Sequence, residues 1–173
     1  MIYTLEYISP VGRIMIGAKE DALAGLWIEN QKYYLGSVKE EMEKCQDLPV
    51  LIQAKKWLDR YFAGERPKIR ELKLAPSGSE FQKKVWKLLM EIPYGQVTTY
   101  GELSRRIARE QGIERMSAQA VGGAVGHNPI SIIIPCHRVV GSNGSLTGYA
   151  GGIDKKIWLL KHEGVDMEGL FIP

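Results

Sequence analysis

Ile132-Ile133-Ile134-Pro135-Cys136-His137-Arg138-Val139-Val140 is an apolar run that stops at a proline and delivers a cysteine and a histidine side by side. Ile and Val in so short a run read as a covered strand or extended segment, because β-branched side chains pack well on a pleated surface and Pro135 cannot continue a helix. The expected result is a rigid thiol at the rim of a core. A cysteine attacks as thiolate, and its free pKa of about 8.5 drops to roughly 3.5 to 7.5 beside an imidazole or a helix N-terminus. Alternation along a strand points neighbouring side chains apart, so either the chain turns at Pro135 or a water bridges Cys136 and His137. The plainer reading is a core cysteine next to a surface histidine.

Outward from this run, glycine-rich segments lie on both sides: Gly122-Gly123-Ala124-Val125-Gly126-His127-Asn128-Pro129 before it and Gly148-Tyr149-Ala150-Gly151-Gly152 after it. With 173 residues, 45% of them apolar, the chain can hold one ordinary domain or two small ones. No run approaches the roughly 18 apolar residues that span a bilayer, and the N-terminus has neither a basic n-region nor an apolar h-region. A cytoplasmic protein with no membrane partner is expected. Cys45 and Cys136 are far apart and neither has zinc-site spacing, so no disulfide and no metal are expected. A net charge of +3 permits nucleic-acid binding without demonstrating it.

The fold class expected is α+β, with a first domain over 1–76 and a second over 77–173. Residues 2–8, Arg13 to Ala18 and Leu23 to Ile28 are β-formers joined by turn chemistry, giving a three-stranded antiparallel sheet. The charged stretch from Lys32 to Asp47 reads as a solvated loop or short helix. Pro49 to Ala63 has apolar residues near a helical period and should cover the sheet. Lys68 to Gly78 is an extended connector, and Pro76-Ser77-Gly78 is the best boundary.

The second domain reads as mainly helical. Ser79 with Gln82, and Thr99 with Glu102, have capping-box form, opening helices that run to Pro93 and to about Gln111. Ser117 can cap a third helix, Ala118 to Gly126, whose three glycines cost about 1 kcal/mol each relative to alanine. Such a helix lies either very close to other backbone or against a large flat ligand. The pair from Tyr100 to Gly126 resembles a helix-turn-helix, although tight packing in a small helical domain fits the composition as well. Asn128-Pro129 is an Asx-type turn, Asp154 caps a last helix over Lys155 to Glu163, and the tail beyond Val165 carries no motif.

Pro135-Cys136-His137-Arg138-Val139, with its glycine-rich flanks, resembles the signature of the O6-alkylguanine-DNA alkyltransferases. The likeness is close over about 79–164 and loose before it. It implies direct-reversal DNA repair: irreversible, single-turnover transfer of an alkyl group from O6-alkylguanine, with O4-alkylthymine a second substrate, to a cysteine. No cofactor or metal is implied, and the implied partner is double-stranded DNA bound through its minor groove by a monomer.

Carried over position by position, the resemblance implies that Cys136 is the acceptor and His137 the base that takes its proton through a water. Glu163 would orient and charge the imidazole, Asn128 would brace the turn before the thiol, and Tyr100 would donate to the purine as it leaves. Val139, Tyr149, Ala150 and Gly151 would form the base pocket, with the Val139 and Cys136 carbonyls accepting from the exocyclic amine. The family often has serine at the Ala150 position. Ala118, Gln119, Ala120, Gly122, Gly123, Arg115 and Ser142 would meet DNA, small residues suiting a groove about 6 Å wide. Gln119 departs from the family, which commonly inserts an arginine there; Arg115 is near enough in sequence to compensate.

Two other readings compete. A non-catalytic module that binds alkylated DNA and flags it for another pathway would lack the acceptor, so Cys136 argues against it. A cysteine hydrolase would need an oxyanion hole and turnover.

Overall fold

The computed structural model describes residues 1–35 and 38–173, which form two compact units: Met1–Ser77 with Pro129–Ile133, and Gly78–Asn128 with Ile134–Pro173. In the first unit, β1 (Ile2–Ser9), β2 (Gly12–Lys19) and β3 (Ala22–Ile28) form the expected antiparallel meander. A fourth strand, β4 (Met42–Lys44), pairs parallel to β1, so the sheet order is β3-β2-β1-β4 rather than three strands. The stretch read as loop or short helix hid this strand because all three of its side chains are exposed, leaving no apolar alternation to read. Gly36 and Ser37 of that stretch lie outside the described residues.

Helix α1 (Pro49–Phe62) covers the sheet with Leu51, Ala54 and Leu58 fully buried, as its period predicts. The Trp27 indole lies flat on the strands, and only glycine fits beneath it: a Cβ at Gly25 would fall 2.0 Å from the ring. The outer edge of β3 is not left open. Leu23 exchanges hydrogen bonds with Lys73 and Ala75 of the connector, and Leu26 does the same with Pro129 and Ser131, which blunts the edge as a template for aggregation.

The second unit holds α2 (Glu80–Leu89), α3 (Tyr100–Gln111), α4 (Ala118–Gly126) and α5 (Ile153–His162), with a two-stranded parallel pair, β5 (Thr98–Thr99) and β6 (Val139–Val140). The reciprocal Ser79–Gln82 box forms as its spacing predicts, and Thr99 and Ser117 cap α3 and α4, but the Glu102 carboxylate pairs with Arg105 at 2.6 Å instead of completing a box with Thr99. The Trp86 indole donates to the Ala124 carbonyl at 2.8 Å and so ties α2 to α4. Helix α5 differs from expectation: Gly152 at φ +100 is its N-cap, and Asp154 sits inside the first turn, where its charge still suits the positive helix end.

The largest departure is in the isoleucine run. Ile132, Ile133 and Ile134 are all buried but form turns, not a strand. Ile133 N–H donates to the Ser131 carbonyl at 2.8 Å, which closes a three-residue γ-turn with Ile132 at φ +72. A β-branched residue there is strained, by about 1 to 3 kcal/mol. A second γ-turn follows at Pro135 (φ −82, ψ 64), closed by Cys136 N–H to the Ile134 carbonyl at 2.8 Å. The β-branched pattern reported burial correctly, but burial does not require an extended backbone.

Candidate active site

Cys136, His137 and Arg138 occupy one 3-10 turn opened by Pro135, and all three are buried. The expected turn at Pro135 therefore exists, and it places consecutive side chains within a helical turn instead of on opposite faces of a strand. Asn128 braces this arrangement, its side-chain amide donating to the Ile134 carbonyl at 2.8 Å. Asn128 and Ile134 flank the segment 129–133, so this bond joins the two points where the chain leaves and re-enters the second unit.

His137 Nε2 lies 2.7 Å from Glu163 Oε2 in a fully buried contact. A carboxylate accepts only, so the proton belongs on Nε2 and Nδ1 carries the free lone pair. Nδ1 is buried and makes no hydrogen bond within the protein. Glu163 also accepts from Arg138, through Nε at 2.7 Å and Nη2 at 3.1 Å, and Arg138 Nη1 donates to the Ile92 carbonyl at 2.7 Å. Burial acts to raise the Glu163 pKa, but the hydrogen bonds and charges of His137 and Arg138 outweigh it and hold the carboxyl well below its usual range.

The electrostatics differ from expectation in two respects. Burial pushes the Cys136 thiol above its ordinary value, opposed by a hydrogen bond from Asn128 and the charge of Lys156, so the resting group is a protonated thiol, not a preformed thiolate. Burial also lowers the His137 pKa despite Glu163. Glu163 itself pulls the imidazole toward its charged form through its hydrogen bond and charge, but desolvation, helped by the nearby charges of Arg138 and Lys156, outweighs that pull. A neutral thiol beside a neutral base is what results.

Tyr100 opens α3, and its hydroxyl donates to the Thr147 carbonyl at 3.3 Å; burial raises its pKa to about 12. Tyr149 is buried, its ring set edge-on to His137 with centroids 6.4 Å apart. Ala150 and Gly151 follow it at intermediate exposure. The Cys136 carbonyl accepts from Val139 N–H, and the Val139 carbonyl accepts from Lys156 Nζ at 2.5 Å, so each offers a further ligand only its remaining lone pair.

Lys156 was not singled out by its sequence, although a signal existed. It lies three residues after Ile153 and four before Leu160, on the apolar stripe of α5. It is fully buried, donates also to the Thr147 carbonyl at 2.9 Å, and has its pKa lowered by burial to about 8. Arg138 likewise had no assigned role within the motif.

The slim helix α4 resolves the alternative posed by its glycines. Ala118, Gln119, Ala120 and Gly123 are exposed, and a Cβ at Gly123 or Gly126 would meet nothing within 4 Å. Gly122 faces only the Tyr100 ring, at 3.8 Å from a built Cβ. The glycine face is thus open and not wedged against other backbone. Arg115 and Ser142 are also exposed. Cys45 lies in the first unit, half-buried, with its thiol donating to Asp47 at 3.1 Å.

No helix among the described residues is long and apolar enough to cross a membrane. The family described as "6-O-methylguanine DNA methyltransferase, DNA binding domain" matches residues 80–165, and its "ribonuclease-like domain" matches residues 1–76. The chain is 40% identical over 162 residues to a methylated-DNA--protein-cysteine methyltransferase of Haemophilus influenzae, spanning 94% of this chain and 86% of that one. It is also 40% identical over 177 residues to the protein of the same name from Methanosarcina acetivorans, covering 94% and 99%. Among solved structures, Mycobacterium tuberculosis OGT in complex with DNA superposes with a TM-score of 0.79 at 37% identity, covering 93% of this chain and 92% of that one. The α+β architecture, the buried cysteine turn and these matches agree, and the chain belongs to the 6-O-methylguanine DNA methyltransferase family.

Proposed function

We propose that this chain repairs alkylated DNA by moving the alkyl group of O6-alkylguanine, and of O4-alkylthymine, onto Cys136, once per molecule. The observation that carries the reading is a buried free thiol followed directly by an imidazole whose Nε2 is tied to Glu163 and whose Nδ1 lone pair is uncommitted. In the step, Cys136 sulfur bonds to the alkyl carbon as the bond from that carbon to O6 breaks. The thiol proton passes through water to His137 Nδ1, and guanine leaves with the electron pair. The Tyr100 hydroxyl donates to the purine as charge builds on it, and Lys156 stabilises the thiolate that forms during attack.

A thiol protonated at rest suits a protein that acts once, because a permanent thiolate would be lost to stray electrophiles. The open small-residue face of α4 offers a slender edge to the minor groove, with Gln119 filling the space left by a flipped nucleotide and Arg115 and Ser142 at its margin. Residues 77–173 would then carry both DNA binding and transfer, with 1–76 a separate domain; the separate family matches support this division. A reduced cytoplasm suits the free thiol.

Incubation with duplex DNA containing O6-methylguanine, followed by intact mass and peptide mapping, tests the reading. One added methylene per chain on the peptide holding Cys136 is expected. Binding without mass change would instead favour a lesion-flagging protein, and repeated turnover would favour a hydrolase.

A further inference from the structure

The segment after α5 has no sequence motif, yet it is bonded to the loop that leads into the tyrosine pocket. Beyond Gly164 the chain doubles back, with Glu168 N–H donating to Asp166 Oδ1 at 3.0 Å and Leu170 N–H to the Met167 carbonyl at 3.1 Å. It then lies parallel to Ser145: Leu146 N–H donates to the Phe171 carbonyl at 2.8 Å, and Phe171 N–H to the Gly144 carbonyl at 3.1 Å. The approach is close enough to require glycine, since a Cβ at Gly144, where φ is +95, would fall 2.0 Å from the Gly169 carbonyl oxygen. Val165 is buried with Val140, Leu146 and Leu160, and Met167 and Leu170 pack on that cluster.

What this bridge holds is one residue from the pocket. Leu146 is followed by Thr147, whose carbonyl accepts from both Lys156 Nζ at 2.9 Å and the Tyr100 hydroxyl at 3.3 Å. Next comes Gly148, where a Cβ would sit 2.5 Å from the Tyr100 hydroxyl, and then Tyr149. On the other side, the turn is closed by its own bonds, Gly141 N–H to Ser145 and Gly144 N–H to Gly141, at 2.8 and 2.9 Å. These local bonds shape the turn but do not fix where Thr147 to Tyr149 stands against α3. The bridge to Phe171 adds a backbone attachment beside the side-chain bonds that Thr147 takes from Tyr100 and Lys156.

We propose that residues 166–171 are a positioning element for the base pocket, the backbone bridge between Ser145 and Phe171 setting the stance of the wall from Thr147 to Tyr149. The segment acts on how tightly the alkylated base is held and not on the thiol, which it does not touch. This inference rests on the alkyl-transfer reading of the site.

The test uses full-length protein and single-turnover transfer from the free base O6-benzylguanine, which isolates the pocket from DNA binding. Phe171→Pro removes the N–H that bonds Gly144, and Gly169→Val places a β-branched residue at φ +81. Phe171→Ala keeps the backbone bridge and removes only the ring. Phe171→Pro and Gly169→Val should raise the half-saturating base concentration on the order of 5- to 10-fold, the equivalent of about one hydrogen bond. The limiting rate and the reaction of Cys136 with iodoacetamide should change by less than the half-saturating concentration does, since Lys156 keeps its bond to the Val139 carbonyl when Thr147 shifts and the thiol's own contacts are untouched. Phe171→Ala should match the parent. Unchanged half-saturation in both disrupting variants overturns the proposal, as does a loss of limiting rate and iodoacetamide reactivity in its place, or the same rise in Phe171→Ala. A parent that transfers nothing sinks the alkyl-transfer reading together with this one; a parent that transfers, matched by its variants, sinks this one alone.

Discussion

Arg138 grips Glu163 as a fork, with Nε at 2.7 Å from one carboxylate oxygen and Nη2 at 3.1 Å from the other, in a site where the acid is fully buried. The acid therefore reaches His137 already ionised and held in a fixed plane. Removing one partner of such a pair leaves an uncompensated buried charge, whereas removing both does not. Arg138→Met should thus cost about 3 to 5 kcal/mol of stability, while adding Glu163→Gln to it should restore part of that loss. Urea unfolding of the two single variants and the double gives the coupling; simple additivity would show that the fork is not an energetic unit.

Stability should fall on acidification from near neutrality. Burial keeps the His137 pKa below its ordinary 6.5, so the unfolded chain takes up that proton first and the stabilisation, complete above 6.5, is lost as pH falls through the folded value. Glu163, whose pKa is held below its ordinary 4.5, adds a loss of the same sign further down. Melting curves from pH ~7.5 to ~5 should drop more steeply for the parent than for His137→Leu, which has no imidazole to protonate. Parallel curves would mean His137 titrates alike in both states.

Lys156→Met keeps much of the side-chain volume but takes the ammonium from the Val139 carbonyl and leaves the Thr147 carbonyl only its bond from Tyr100, at a cost of about 1 to 3 kcal/mol. It also removes the cation that favours the Cys136 thiolate. Iodoacetamide labelling of Cys136 should be slow at neutral pH in the parent, rise toward and above pH 9.0, and need a still more alkaline pH in the variant. An unshifted labelling profile would show that the ammonium does not act on the sulfur.

Cys136→Ser should abolish transfer yet retain binding to alkylated duplex, because a hydroxyl is a far poorer nucleophile of similar size. Transfer by that variant at the parent's stoichiometry would place the acceptor elsewhere. The two properties are read separately by intact mass and by fluorescence anisotropy.

Gln119 is exposed on the open face of α4. Gln119→Arg should tighten duplex binding, steepen its salt dependence by about one ion, and speed transfer from duplex more than from the free base. Gln119→Ala should slow duplex repair and spare the free base. Equal effects on both substrates would mean that another residue, Arg115 foremost, fills the gap left by a flipped base.

Local chemistry was enough to determine much of this protein. Ser79 with Gln82, Thr99 and Ser117 marked helix starts because a short polar side chain satisfies the first free backbone N–H groups whatever lies beyond them. Alternating and β-rich runs marked β1 to β3, and Pro135 marked a turn before the cysteine. Only the tertiary structure decided the rest. Strand β4 has no buried side chain to reveal it, and the isoleucines are buried by turns that the same composition could have extended. The thiol's protonation follows from burial among residues remote in sequence. The contacts of Arg138 with Glu163 and Ile92, of Lys156 with Val139 and Thr147, and of Phe171 with Gly144 and Leu146 join positions whose spacing has no period. Sequence periodicity encodes which face of an element is apolar; which distant group meets that face is set when the elements pack.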